Sequence, residues 1–348
     1  MKSNLVNDLV SVDAPIDDYG NFKYGNIKNG AKYNLFDFSH NAPCNIVVKV
    51  NDDISISYDK SGMYFYSIYG VPKSNSVSRT RRFRYKKNGK FILNGLFESD
   101  TLVEVDKRYT SWALSRASKL NSVAVELCDI ATIKLLHSNY LSFHGGCVEY
   151  NDRGYVITGL PDMGKTLTTM KLLENEDYKF LSEDILLIDK AMNAYAVPFT
   201  QTVEKRKKLS LIEKIKGRIY EAMYKNNYVK SDILEVKPEI KNRIKTKTDI
   251  DAIFFLVRGE RFIREATADE REYYVEKTVQ LNHLEFTYFR NELILSYLFF
   301  NDSRDITFFL NKEKKMIEDL YSEKKLVVVS SPDAFGYSEL IQQYIESE

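Results

Sequence analysis

Little in this chain invites a metal centre or a disulfide framework. It has 3 cysteines and 4 histidines among 348 residues. Cys44, Cys128 and Cys147 are far apart and odd in number, which matches neither zinc-ligand spacing nor a stapled secreted fold. His40, His137, His144 and His283 are scattered as well, so a His-rich metal site is not expected. An excess of one charge sign is also missing. The 50 Lys and Arg offset the 49 Asp and Glu to leave +1. That balance gives no electrostatic ground for a nucleic-acid partner or for general affinity to anionic membranes. No apolar run approaches the ~18 residues of a membrane span, and Met1-Lys2-Ser3-Asn4-Leu5 lacks the apolar core of a signal peptide. The expectation is a cytoplasmic protein. Tryptophan occurs once, against 24 Tyr and 20 Phe, a balance that suits half-buried strands better than a platform for stacking bases.

The chain is long enough for two domains. Residues 1 to about 110 read as β-rich. Ile46–Val50 is a short apolar strand before the turn residues Asn51-Asp52-Asp53, and Met63–Tyr69, Phe91–Leu93 and Leu102–Val105 continue the pattern. The basic stretch Arg79–Lys87 reads as a solvated strand edge or, alternatively, as a docking strip for an acidic partner. A helix is expected from about Trp112 to Leu136, on a loose helical period. Residues 111–348 then read as a second, α/β domain. Val148–Tyr150 and Tyr155–Thr158 form a hairpin, Leu167–Glu174 a helix, and Phe180-Leu181 and Ile185–Asp189 strands. Residues 204–225 read as an exposed helix, Ala252–Val257 and Leu326–Val329 as core strands, and a last helix starts near Ser338.

The most informative segment is Gly159-Leu160-Pro161-Asp162-Met163-Gly164-Lys165-Thr166, a full G-x-x-x-x-G-K-[ST] match placed after an apolar strand and before a helix. In that setting backbone N–H groups and the helix N-terminus converge on an anion. Lys165 reaches the outer phosphates and the Thr166 hydroxyl serves Mg²⁺. A carboxylate must complete the metal site. Glu183-Asp184 follow the strand Phe180-Leu181, and Asp189 closes the next strand, either as a Walker-B-like ligand or as a turn residue. A pair at a strand end can divide two tasks: one carboxylate holds the metal and the other takes a proton from an acceptor hydroxyl.

His144-Gly145, the loop ending Gly164-Lys165-Thr166, and Glu183-Asp184 together resemble the HPr kinase/phosphorylase family of P-loop kinases. The likeness runs from about Ser142 to Asp189. It implies an HPr-kinase-like α/β domain, a mixed sheet with helices and a helical C-terminal part, preceded by a smaller β-rich domain suited to acceptor recognition. It also implies ATP as donor, with Thr166 and Asp184 on Mg²⁺, Glu183 as acid/base and His144 beside the transferred phosphate. Glu204-Lys205-Arg206 and Arg258 are its arginine candidates. Pro161 and Asp162 depart from the family loop, and Lys207 and Lys208 stand where the family has a glycine-rich signature, which leaves the acceptor open. The reading is therefore a phosphotransferase acting on a hydroxyl of a protein, peptide or small molecule, with homo-oligomerisation compatible. A P-loop ATPase switch using Asp189, or an inactive nucleotide-binding module, are the alternatives.

Overall fold

The computed structural model describes residues 2–6, 9–13, 43–51, 54–64, 67–82, 88–106, 123–197, 204–206, 234–236, 240 and 242–347. The chain divides into two compact units. Met1–His137, Lys205–Glu235 and Thr287–Phe308 form the first, and Ser138–Glu204, Val236–Phe286 and Phe309–Glu348 the second. The single boundary expected near residue 110 is thus replaced by several crossings, and the first unit takes a helix from far along the chain.

The first unit holds an eight-stranded mixed sheet built from β1 (Lys2–Val6), β2 (Val10–Asp13), β3 (Cys44–Asn51), β4 (Lys60–Tyr64), β5 (Ser67–Val71), β6 (Ser76–Arg82), β7 (Asn88–Asn94) and β8 (Asp100–Asp106). Its order is β1-β2-β3-β8-β7-β6-β5-β4, with β3 parallel to both β2 and β8. The strand expected over Met63–Tyr69 is instead a hairpin, because Met63 pairs with Ile68 and Tyr64 with Ser67. The basic stretch departs from expectation as well. β6 lies inside the sheet, and Arg79, only 2% exposed, pairs with the equally buried Glu126. A guanidinium neutralised by a carboxylate can be buried where an unpaired one cannot. Phe83, Tyr85 and the other residues of 83–87 lie outside the described part.

Glu126 belongs to α1 (Val123–His137); the earlier part of the expected helix, 112–122, lies outside the described residues. Every residue from Glu126 to Leu136 is buried, which explains the weak helical period: a helix enclosed on all sides shows no polar face. Lys134 is buried with it and donates to Glu98 O at 2.5 Å and to Thr101 Oγ1 at 2.7 Å. α4 (Glu292–Asn301) covers β5 and β6, where the Tyr69 hydroxyl meets Glu292 and Asn301 Nδ2 donates to Ser76 O at 2.8 Å.

The second unit holds a nine-stranded mixed sheet: β9 (Tyr140–His144), β10 (Gly146–Tyr150), β11 (Arg153–Gly159), β12 (Lys179–Ser182), β13 (Ile185–Asp189), β14 (Asn193–Tyr195), β17 (Lys247–Arg258), β18 (Phe262–Glu265) and β19 (Lys325–Ser331). The order is β12-β10-β11-β17-β14-β13-β9, with β19 parallel to β17 and β18 pairing β19. β15 (Glu204–Arg206) and β16 (Leu234–Val236) pair separately; the remainder of the helix expected over 204–225 lies outside the described residues. β11, β17 and β19 run parallel, and each carries a continuous buried stretch, as strands covered on both faces do. Phe254, Leu256, Val327 and Val329 pack into one core with Leu172 of α2 (Lys165–Leu172) and Tyr337, Ile341 and Ile345 of α6 (Phe335–Ser347). On the other face Phe255 meets Tyr274 of α3 (Ala268–Glu285), ring centroids 4.7 Å apart. α5 (Ile306–Glu323) supplies buried Glu313, Ile317 and Leu320. Among the described residues no helix is long and apolar enough to cross a membrane.

Candidate functional site

The β10–β11 hairpin turns through Asn151 and Asp152, both at positive φ, with Tyr150 opposite Arg153. Such a two-residue turn matches the right-handed twist of the strands. It brings β11 back to the end of the sheet where His144 sits. The chain leaves β11 at Gly159, where a Cβ would stand 2.9 Å from Leu256 O, so only glycine clears the neighbouring strand. The loop closes at Gly164, φ 96, which caps α2 with no side-chain acceptor. A Cβ there would come within 2.6 Å of Ala334 Cβ. The first-turn N–H groups of α2 are therefore not satisfied by a cap side chain, and the helix dipole adds positive potential at the same point. This is the physical basis of an anion site.

Between these glycines Leu160 is exposed, Met163 is buried in the core, and Pro161 and Asp162 line a cavity of about 690 Å³. Asp162 takes the left-handed conformation, φ 63, which Asp tolerates better than most residues. Lys165, 8% exposed, donates to Gly159 O at 2.9 Å and to Leu160 O at 3.1 Å. Burial pushes its pKa down, against the opposing pull of Asp184, Glu285 and Asp162. Thr166 lines the same cavity.

His144 ends β9, an edge strand, and its backbone is fixed from two directions. Thr158 Oγ1 donates to His144 O at 3.0 Å, and the His144 N–H donates to Asn282 Oδ1 at 3.0 Å. Asn282 Nδ2 donates to Ser142 O and to Glu313 Oε1, each at 3.0 Å. The Asn282 amide thus does for the edge of β9 what a neighbouring peptide group would do in a ladder. Glu313 is also 3.0 Å from His283 Nε2. With its backbone so held, the His144 ring places Nδ1 3.6 Å from Asp184 Oδ1 and 4.0 Å from Glu285 Oε2.

The two acidic neighbours after β12 part company. Asp184 is half-exposed on the cavity wall, and its carbonyl accepts the Gly145 N–H at 2.8 Å. Glu183 is buried, 4% exposed, and is not part of that wall. The structure thus brings His144, Asp162, Lys165, Thr166 and Asp184 together and leaves Glu183 behind them. Asp189 lies at the opposite end of β13, paired with Tyr140. Its carboxylate accepts from the backbone N–H groups of Ala191 and Asn193 and from the Tyr195 hydroxyl. Burial pushes its pKa up, but the hydrogen bonds from Asn193 and Tyr195 and the charge of Lys247 outweigh that and hold it low. It closes the β13–β14 turn and does not reach the loop. Arg258 is exposed at the end of β17 and does not line the cavity, and the side chains of Glu204-Lys205-Arg206 lie outside the described part.

Sequence reasoning missed the contribution of α3. Leu281, Leu284 and Glu285 form one wall of the cavity, the i, i+3, i+4 spacing that puts side chains on one helix face. No motif marks them, since they reach the loop only through the packing of α3 over the sheet.

The donor set at this end of the cavity suits an anion. Glycines stand where a Cβ would block the backbone, helix N–H groups lack a capping side chain, and Lys165, Thr166 and Asp184 share the cavity. Among the described residues no group of three or more His, Cys, Asp or Glu is arranged to hold a metal unaided.

No family model matches the chain, and no curated protein matches it. Among solved structures it is similar to the Hpr(Ser) kinase/phosphatase from Coxiella burnetii. Sequence identity is 8%, the match covers 59% of this chain and 97% of that one, and the TM-score is 0.29. A likeness so distant fixes neither fold nor function.

Proposed function

We propose that this protein is a phosphotransferase that binds Mg-ATP in the loop Gly159–Thr166 and passes the γ-phosphoryl group to a hydroxyl of a protein, peptide or small-molecule acceptor. The observation that carries this reading is convergence. Three separate segments, at His144, at Pro161–Thr166 and at Asp184, line one cavity at the uncapped start of α2. Its volume falls in the range of small-ligand sites, roughly 300–1,000 Å³.

In this reading the loop backbone and Lys165 hold the phosphates, and Thr166 and Asp184 hold Mg²⁺. The metal, when bound, neutralises charge on the phosphates. The protein's own part is positioning. The rigid loop fixes the phosphate tail, and the double anchoring of His144 through Thr158 and Asn282 keeps its ring beside the reaction centre. The buried Lys165 loses its contacts to Gly159 O and Leu160 O when it turns to phosphate. The hydrogen bonds it gives up are to carbonyls, which are weaker acceptors than an anion.

The test is Lys165→Ala, with affinity for Mg-ATP measured by calorimetry and γ-phosphate transfer followed with labelled ATP against hydroxyl compounds and lysate. A loss of at least ~30-fold in affinity is expected, since about 2 kcal/mol is typical of a charge-assisted contact. Unchanged affinity and turnover in the variant would defeat the reading. The switch alternative needs Asp189 at the metal, and that carboxylate is engaged at the other end of its strand.

A further inference from the structure

Glu183, the carboxylate expected to take the acceptor's proton, is buried and does not line the cavity. Asp184, its Oδ1 3.6 Å from His144 Nδ1, is taken up by the metal role in the reading above. On α3 a second carboxylate, Glu285, approaches the same nitrogen, its Oε2 4.0 Å away. It lines the cavity and is about a quarter exposed, open to a substrate in a way Glu183 is not. It stands next to Leu284, 65% exposed, and one turn from Leu281, so the same helix face offers an apolar rest beside the carboxylate. The phosphate end of the cavity is made by α2 and the acceptor end by α3.

Resting on the phosphotransferase reading, we infer that Glu285 is the general base of the transfer, and that the last turn of α3 is the acceptor subsite for a hydroxyl carried next to an apolar group. The acceptor oxygen uses a lone pair to form a bond to the γ-phosphorus of the nucleoside triphosphate. The bond from that phosphorus to the β,γ-bridging oxygen breaks, and its electron pair leaves with the nucleoside diphosphate. The proton of the acceptor hydroxyl passes to the Glu285 carboxylate and from there to water. Both carboxylates approach the same ring nitrogen, His144 Nδ1, Asp184 Oδ1 at 3.6 Å and Glu285 Oε2 at 4.0 Å, so the histidine links the base to the metal carboxylate.

Water serves as the simplest acceptor hydroxyl, which makes the test independent of the natural one. Single-turnover release of γ-labelled phosphate from Mg-ATP is measured for the whole chain and for Glu285→Gln, Glu285→Asp, Glu183→Gln and Lys165→Ala. Affinity for a fluorescent ATP analogue is measured on each in parallel. Expected for Glu285→Gln are analogue binding within about twofold of the parent and phosphate release at least ~100-fold slower, the low end of what a lost general base costs. Glu285→Asp, which keeps the carboxylate but shortens its reach, falls between the two. Glu183→Gln releases phosphate at nearly the parent rate. Release by Glu285→Gln at the parent rate, or a loss confined to Glu183→Gln, overturns the assignment while Lys165-dependent binding leaves the phosphotransferase reading standing. A parent chain that neither binds the analogue nor releases phosphate overturns both.

Discussion

Asn282 is the residue through which the fold and the candidate site depend on each other most directly. Its side chain is fully buried, accepts the His144 N–H, and donates to Ser142 O and Glu313 Oε1. Asn282→Ala strips a partner from three groups at once. Each buried polar group left short costs ~1–3 kcal/mol, and water entering the hole recovers part of it, so the sum is on the order of 3–5 kcal/mol. That is a large share of the stability of a typical domain. Because the lost bonds lie on the outer edge of β9, amide exchange across Tyr140–His144 should speed up by roughly a hundred- to a thousand-fold, and the urea midpoint should fall. Nucleotide affinity should hold, since α2 and its loop make no bond to Asn282. Asn282→Asp sharpens the test. It is nearly isosteric and keeps an acceptor for His144, yet it turns lone pairs toward Ser142 O and sets a second carboxylate beside Glu313. It should be at least as destabilising as alanine. If Asn282→Asp were tolerated, or if Asn282→Ala left β9 exchange within twofold, the strand-mimicking role would be wrong.

Two further outcomes can be checked independently of nucleotide chemistry. Asp129, buried in the first unit between Thr287 and Asn291, has its pKa pushed up to about 6, chiefly by burial. A carboxylate raised in the folded state favours the protonated form, so its stabilising contribution is whole below its unfolded value and is lost as pH rises through about 6. Asp129→Asn should therefore flatten the dependence of the first unit's urea midpoint between about pH 4 and 6 and raise stability at neutral pH, by up to ~3 kcal/mol; a parallel shift at all pH values would contradict the burial argument. Asp189→Asn should leave phosphate release unchanged and cost roughly 1–2 kcal/mol through the weakened β13–β14 turn, so a variant that is stable but slow would return Asp189 to the metal site.

How much of this was legible in the sequence follows from the kind of contact involved. The loop, the helix after it and the strands Ile185–Asp189, Ala252–Val257 and Leu326–Val329 were readable because local chemistry dictates them: glycine at positive φ, and continuous apolar runs in a sheet covered on both faces. Arg79 was misread because its partner, Glu126, comes from a helix outside the sheet, and a basic strand looks solvated until that carboxylate is seen. Glu183 and Asp184 follow Ser182, where β12 ends, so strand alternation does not decide which of them faces the cavity; Asp184 lines it and Glu183 is buried. Glu285 and Asn282 left no trace, because the contacts of α3 with β9 span about 140 residues of intervening chain. The first unit's use of Glu292 and Tyr297, residues more than two hundred positions from their partners, defeated the boundary drawn near residue 110 for the same reason.

The interval from His144 to Lys165 has a mechanical explanation that the motif alone does not supply. The β10–β11 hairpin must run out and return, with Gly146 opposite Ile157, so that the loop emerges beside the histidine. The two residues that start this path are glycines because no side chain fits. A Cβ on Gly145 would meet Ile157 O at 2.8 Å, and one on Gly146 would meet Thr169 Oγ1 at 2.4 Å. Thr169 in turn donates to Lys165 O at 3.0 Å, in the first turn of α2. His144-Gly145-Gly146 is therefore wedged between the strand that delivers the loop and the helix that the loop starts. Lengthening β10 or β11 by one residue would turn the loop's approach to the opposite face of the sheet, since side chains alternate along a strand. The spacing is a property of the hairpin, and the histidine keeps its place beside the lysine because the hairpin has no freedom to put it elsewhere.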